Sequence, residues 1–185
     1  MPKRNFEQDV LDDLKYIFEN VNNWLNFAEL KNGALLVFLT TVIIGLTQLN
    51  LPDDSNILIK IFYIVSMIDI LISIIILLLS FVPKISNIKP KYNANINYLN
   101  KNLIFFADII KARDYEEYLI NIYEDYYNTI VSKEELNLKE KHLAEEIFIN
   151  SNIASNKYNY FKYSLYCCLP GIILSIILIL MIYIT

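Results

Sequence analysis

Ser66, Asp69 and Ser73 recur at i, i+3 and i+7 within an almost wholly aliphatic stretch, Ile57 to Val82. That spacing places all three on one face of a helix. An ionised carboxylate at mid-bilayer costs roughly 2.5–3.5 kcal/mol on insertion scales, so Asp69 is expected to face protein or water rather than lipid. Thr40, Thr41 and Thr47, in the apolar block before it, offer hydroxyl partners. Two readings stand side by side. One is an interhelical hydrogen bond that locks two helices together, worth roughly 0.6–2 kcal/mol in model systems. The other is a polar seam used in oligomerisation or in a water-filled path, which a single chain with three spans cannot enclose alone.

A second group of residues suits ligand chemistry. Lys31, Asn32, Lys101, Asn102, Lys157 and Lys162 lie near or between the apolar blocks, with Tyr98, Phe105, Phe106, Tyr158, Tyr160 and Phe161 interleaved. Ammonium groups beside aromatic faces fit a phosphate joined to a base that stacks. The same residue types are ordinary at a membrane interface, where lysines snorkel and tyrosines anchor.

Parts for catalysis are missing. The single histidine, His142, sits among Lys139, Glu140, Lys141, Glu145 and Glu146, as on a solvated helix face. No Gly-rich phosphate loop, G-x-S-x-G or HExxH occurs. Glu116-Glu117, Glu134-Glu135 and Glu145-Glu146 read as solvated faces. The two cysteines, Cys167 and Cys168, are adjacent, which excludes a disulfide framework and matches no zinc spacing. No catalytic residue, metal site or cofactor is expected, and no nucleic-acid polymer as partner.

The elements that must position these residues are helices. Of the 185 residues 55% are hydrophobic, above the usual soluble range, and the excess sits in three blocks. Glycine occurs three times and proline five, so long uninterrupted helices are expected. Phe6, Val10, Leu14, Ile17, Val21, Leu25 and Ala28 form the stripe of an amphipathic helix over residues 1–32. The first apolar block, Ala34 to Leu49, reaches about 24 Å, and the second, Ile57 to Val82, about 39 Å. NLPDDSN, Asn50 to Asn56, turns between them.

After breaks at Pro83 and Pro90, with Lys84, Lys89 and Lys91 around them, two helical pieces are expected between Tyr92 and Ser132. Leu99, Leu103, Phe106 and Ile110 mark the first; Tyr115, Leu119, Ile122 and Tyr126 mark the second. Asp114 with Glu117, and Ser132 with Glu135, carry helix-start patterns. From Ser132 a long helix is expected to run through Leu143, Ile147, Ala154, Tyr158 and Phe161 into the third block, Leu165 to Ile184, with Pro170-Gly171 bending it rather than ending it.

The fold class is therefore all-α: an integral membrane protein with three transmembrane helices and a cytoplasmic helical stalk continuous with them. The expected division is 1–32, a hairpin over 33–82, a helical region over 83–163, and a third span over 164–185. Four basic residues precede the first span, eleven lie between the second and third, and the hairpin turn has none. By the positive-inside rule the N-terminus and residues 83–163 are cytoplasmic and the C-terminus is outside. The abundance of Ile, Asn, Lys and Tyr reads as AT-rich bacterial coding.

The order of local patterns resembles the membrane effectors of Pycsar antiphage defence. The matching pieces are FAELKNGALLVF (Phe27 to Phe38), the two-span hairpin, VPK (Val82 to Lys84), NLIFFADIIK (Asn102 to Lys111), EEYL (Glu116 to Leu119) and NSNIASNKYNYFKYSL (Asn150 to Leu165). Most of the N-terminal thirty residues, those before Phe27, lie outside this resemblance. It implies a non-catalytic, homo-oligomeric effector that responds to a cyclic pyrimidine mononucleotide, cCMP or cUMP, made by a partner cyclase. The response would damage the inner membrane and abort infection. Carried over by motif, the polar and aromatic positions would be Glu29, Lys31, Asn32, Asn102, Phe105, Phe106, Tyr118, Asn150, Lys157 and Tyr158, with no separate nucleotide-binding domain. The resemblance is silent on Asp69. A helical membrane anchor that recruits a cytosolic protein and a constitutive oligomeric ion channel are the alternative readings.

Overall fold

A computed structural model describes residues 6–49, 51, 55–82 and 102–184. The breaks expected at Pro83 and Pro90 with their lysines, the positions Tyr98, Leu99 and Lys101, and the middle of the hairpin turn lie outside the described residues. The described residues form five helices and no strand: α1 (Phe6–Thr47), α2 (Ile57–Ser80), α3 (Phe106–Ile109), α4 (Tyr115–Tyr127) and α5 (Leu138–Ile184). Three of these, α1, α2 and α5, are long and apolar enough to cross a membrane, so the all-α, three-span class expected from the apolar blocks holds. α5 runs through Pro170 without ending.

The helices build two units. One takes α1 up to Phe27, α3, α4 and α5 up to Asn156; the other takes α1 from Ala28, α2 and α5 from Lys157.

The first unit has an apolar helical core. Val10, Leu14, Ile17 and Val21 are buried along α1, as its 3.6-residue periodicity requires, together with Leu119 and Ile122 of α4 and Ala144 and Ile147 of α5. Asp114 caps α4, its carboxylate accepting from the Glu117 N–H at 2.7 Å. Glu117 reaches back one residue further than a capping box would place it, to the Arg113 N–H. Asn128 ends α4 in the left-handed region at φ 48°, and the Thr129 N–H closes on the Tyr123 carbonyl at 3.1 Å. Asn tolerates that conformation because its short polar side chain bonds locally.

Two expectations change here. In the described part of the first helical piece only the four residues of α3 are helical, and Leu103 lies in the turn before them, where the Asn102 side chain accepts from the Ile104 N–H at 2.9 Å. Ser132 does not start α5. Its N–H and hydroxyl both bond the Glu135 carboxylate, at 2.9 and 3.0 Å, closing a local turn. α5 begins at Leu138, where Asn137 accepts from the Lys139 N–H at 3.0 Å.

The second unit inverts the usual pattern. Ile61, Ile64, Ile68, Ile75 and Leu79 of α2, and Ile173, Ile176 and Leu180 of α5, are exposed, whereas Ser66, Ser73, Ser80, Ser164 and Ser175 are buried. Apolar side chains outside and small polar ones inside is what helices packed in lipid require. Leu39, Leu46, Ile59, Ile70, Leu77, Cys168 and Leu178 fill the remaining core. α2 starts on Asn56, whose side chain accepts from the Leu58 N–H, and ends two residues before Val82, with Phe81 as its C-cap.

The ion pairs that tie α4 to the turn before α5 set a pH dependence. Lys133 lies 2.7 Å from Glu116 and 3.3 Å from Asp114. The hydrogen bond from Lys133 holds the Glu116 carboxyl below its ordinary 4.5. At Asp114 burial opposes ionisation, but the Glu117 N–H and Lys133 outweigh it and keep the carboxyl below 3.8. A carboxylate with a depressed folded pKa stabilises the fold fully above its unfolded value, and that stability is lost as pH falls through the folded one. Thermal unfolding should therefore shift to lower temperature as pH drops below about 4.5, with Lys133→Met flattening the dependence.

Candidate functional site

α2 and α5 approach each other antiparallel in a seven-residue register. The Ser73 hydroxyl donates to the Ser164 carbonyl at 3.1 Å, and the Ser164 hydroxyl donates to the Ser73 carbonyl at 3.1 Å. Seven residues further along α5, Gly171 faces Ser66, seven back along α2; a Cβ on residue 171 would lie 3.2 Å from the Ser66 carbonyl and 2.8 Å from Asp69 Cβ. Seven in the other direction, the Lys157 ammonium donates to the Ser80 carbonyl at 3.3 Å. Small side chains let the two backbones come this close, and the reciprocal hydroxyl bonds use the proximity.

The polar face expected at Ser66, Asp69 and Ser73 thus exists, but its partners differ from those anticipated. Thr40 bonds the Leu36 and Val37 carbonyls, Thr41 the Val37 carbonyl and Thr47 the Ile44 carbonyl, all on their own helix. A hydroxyl one turn from a carbonyl finds it more readily than a group on another helix. Ser66 likewise bonds its own Phe62 carbonyl at 2.8 Å. Asp69 is half-buried against Gly171, and no hydrogen bond or ion pair of Asp69 occurs among the described residues.

The residues with ligand-type chemistry fall into both units. In the second unit, Glu29, Lys31 and Asn32 of α1 meet Lys157, Tyr158 and Phe161 of α5. Lys157 Nζ lies 3.1 Å from Glu29, and the Asn32 amide donates to the Lys157 carbonyl at 3.2 Å. Lys31 Nζ sits 5.6 Å from the Tyr158 ring centre and 5.7 Å from that of Phe161, within cation–π range. Burial raises the pKa of the Tyr158 hydroxyl, so it stays a neutral donor at physiological pH.

In the first unit, Phe105 and Phe106 pack with Trp24, a residue that sequence reasoning passed over. Trp24 stands edge-on to Phe105 at 5.8 Å and tilted to Phe106 at 5.8 Å, and the two phenylalanines are 4.7 Å apart. Trp24 and Phe105 are 39% and 36% exposed, so the cluster presents ring surface to solvent. Its signal was the chain's only Trp, three residues after Val21 and four before Ala28 and so on the apolar stripe of the amphipathic helix. Tyr118 is fully buried and donates to the Leu103 carbonyl at 2.9 Å, holding the turn before α3. Asn150 donates to Asn22 at 2.9 Å, joining α5 to α1. Among the described residues no group of three His, Cys, Asp or Glu could hold a metal ion.

The close α2–α5 approach is open to a direct check. Gly171→Ala should lower stability in detergent by about 1–3 kcal/mol, because the added methyl meets backbone and a Cβ that cannot swing away. Ser73→Ala and Ser164→Ala each remove one hydroxyl-to-carbonyl bond and leave the other's acceptor in place, so each should cost roughly 0.6–1.7 kcal/mol and the two should add nearly independently.

Comparison with known proteins places this architecture. The Pycsar effector protein domain matches residues 13–184, further toward the N-terminus than the motifs that carry the resemblance. No curated protein and no solved structure matches the chain. The match covers α2 and α5 whole and α1 from Asp13 onward, so this three-span helical membrane protein belongs to the Pycsar effector family.

Proposed function

We propose that the chain is an antiphage-defence effector of the bacterial inner membrane that responds to cCMP or cUMP, made by a partner cyclase, and impairs the membrane to abort infection. The observation that carries this is the family match, which runs through all three apolar blocks. On this reading the chain is not an enzyme and acts as a homo-oligomer. Its N-terminus and residues 83–163 are cytoplasmic and its C-terminus is outside, by the distribution of its basic residues.

A signal can shift such a protein only through different affinities for its two states, about 5.5 kcal/mol for a switch from 1:99 to 99:1. Trp24 and Phe105, backed by the buried Phe106, offer the ring surface on which a pyrimidine would stack, with Asn102 three residues before Phe105 in sequence. Purified protein in liposomes should release dye with cCMP or cUMP and not with cAMP or buffer; indifference to every nucleotide would sink the reading. Trp24→Ala should raise the nucleotide concentration for half-release by about five- to a hundred-fold, the worth of one stacked base. An unchanged response would remove the aromatic cluster from the site.

A further inference from the structure

Lys157 joins all three helices of the second unit. Its ammonium reaches Glu29 on α1 at 3.1 Å and the Ser80 carbonyl on α2 at 3.3 Å, and it sits 5.6 Å from the centre of the Phe81 ring. Its own carbonyl accepts from Asn32 on α1. The side chain is only 13% exposed, so these contacts form largely away from water.

Each partner needs what Lys157 supplies. The last turn of α2 contains no basic residue, and its final carbonyls carry the negative end of the helix dipole. Lys157 provides the missing cation from a different helix. Glu29 balances that charge, and it is 49% exposed, so the ion pair opens toward solvent on one side only.

The same node is also imperfect. Asn32 and Ser80 are 0% and 5% exposed, yet Asn32 Oδ1 and Ser80 Oγ have no hydrogen-bond partner among the described residues. A buried polar atom left unpaired is a cost that another packing, or water entering the node, would remove. An ammonium that holds three helices beside two unsatisfied groups favours one arrangement by a margin that can be reversed.

We propose that Lys157 is a releasable clamp on the resting arrangement of the spans, and that loss of its hold on Ser80 and Glu29 frees the end of α2 and opens the helix packing. Lys157 is a positioning residue in this scheme, because its donors are engaged by α1 and α2. The proposal rests on the reading of the chain as a membrane-damaging effector, and its test needs no nucleotide.

The experiment measures spontaneous dye release from liposomes holding wild type, Lys157→Met, Lys157→Arg and Glu29→Gln, with helix content and thermal stability recorded for each. Lys157→Met should leak without any signal, roughly tenfold or more above wild type, the worth of a charged hydrogen bond. Lys157→Arg, which keeps the charge, should restore tightness. Glu29→Gln should leak about two- to fivefold, as a half-exposed ion pair allows. Lys157→Met that keeps its helices and remains as tight as wild type overturns the proposal. If Lys157→Met does not fold, Glu29→Gln decides: folded and leaky supports the clamp, folded and tight overturns it. Leak from Lys157→Met beside a wild type deaf to all nucleotides would leave the clamp standing and the nucleotide reading refuted; the converse would refute the clamp alone.

Discussion

The close antiparallel contact of α2 with α5 is the constraint on which the second unit depends. Lipid tails are as apolar as leucine, so nothing like the hydrophobic effect presses these helices together. What remains is dispersion and hydrogen bonding, and both need backbones near one another. Ser66, Ser73, Ser164 and Gly171 provide that nearness, with the Ser73–Ser164 pair satisfying two hydroxyls that lipid could not. Once the contact is made, the helix faces are assigned. Isoleucines such as Ile68 and Ile75 are turned outward, Ile70 and Leu77 inward, and Asp69 is set at the edge of the contact.

The first unit is held by a different balance. Burial of Leu14, Ile17, Leu119 and Ile147 gives it an ordinary apolar core. Its buried polar groups are used as fasteners: Tyr118 on the Leu103 carbonyl, and Tyr123 on the fully buried Glu140 at 2.6 Å. Tyr127 donates to Asp13 at 2.6 Å; burial and that carboxylate push its hydroxyl pKa up, so the bond persists across the physiological range. α1 and α5 each carry residues of both units.

The large elements were legible from the chain alone. A bilayer demands long apolar runs, and a turn between two of them demands Pro, Asp and Asn, so the hairpin declares itself. The spacing of Ser66, Asp69 and Ser73 also announced a polar face. Its partners were not legible, because periodicity within one helix says nothing about which other helix it meets. Thr40 and Thr41 looked suitable by type, yet carbonyls in their own turn claimed them, and Gly171, which carries no side chain to notice, proved to be the neighbour of Asp69. Short-range bonding also misled at Ser132, where a capping pattern closed a turn, and at Asn102, which holds Leu103 and Ile104 in a turn before α3. The ligand-type residues were found by motif, but their division between two units is a property of the folded chain.

The register of α2 and α5 also sets how deep the pair can sit. A slide by one repeat, about 10 Å, would be sterically natural for two helices whose small residues recur every seven positions. In one direction it would carry the Lys157 ammonium from the level of Ser80 to that of Ser73, among groups that no water reaches, at the cost of an intramembrane charge. In the other it would bring Leu178 to the level of Ser66, where Gly171 now allows close approach. A repeat that could have fitted at several depths is thus limited to one notch, with a charge as the stop on one side and bulk as the stop on the other.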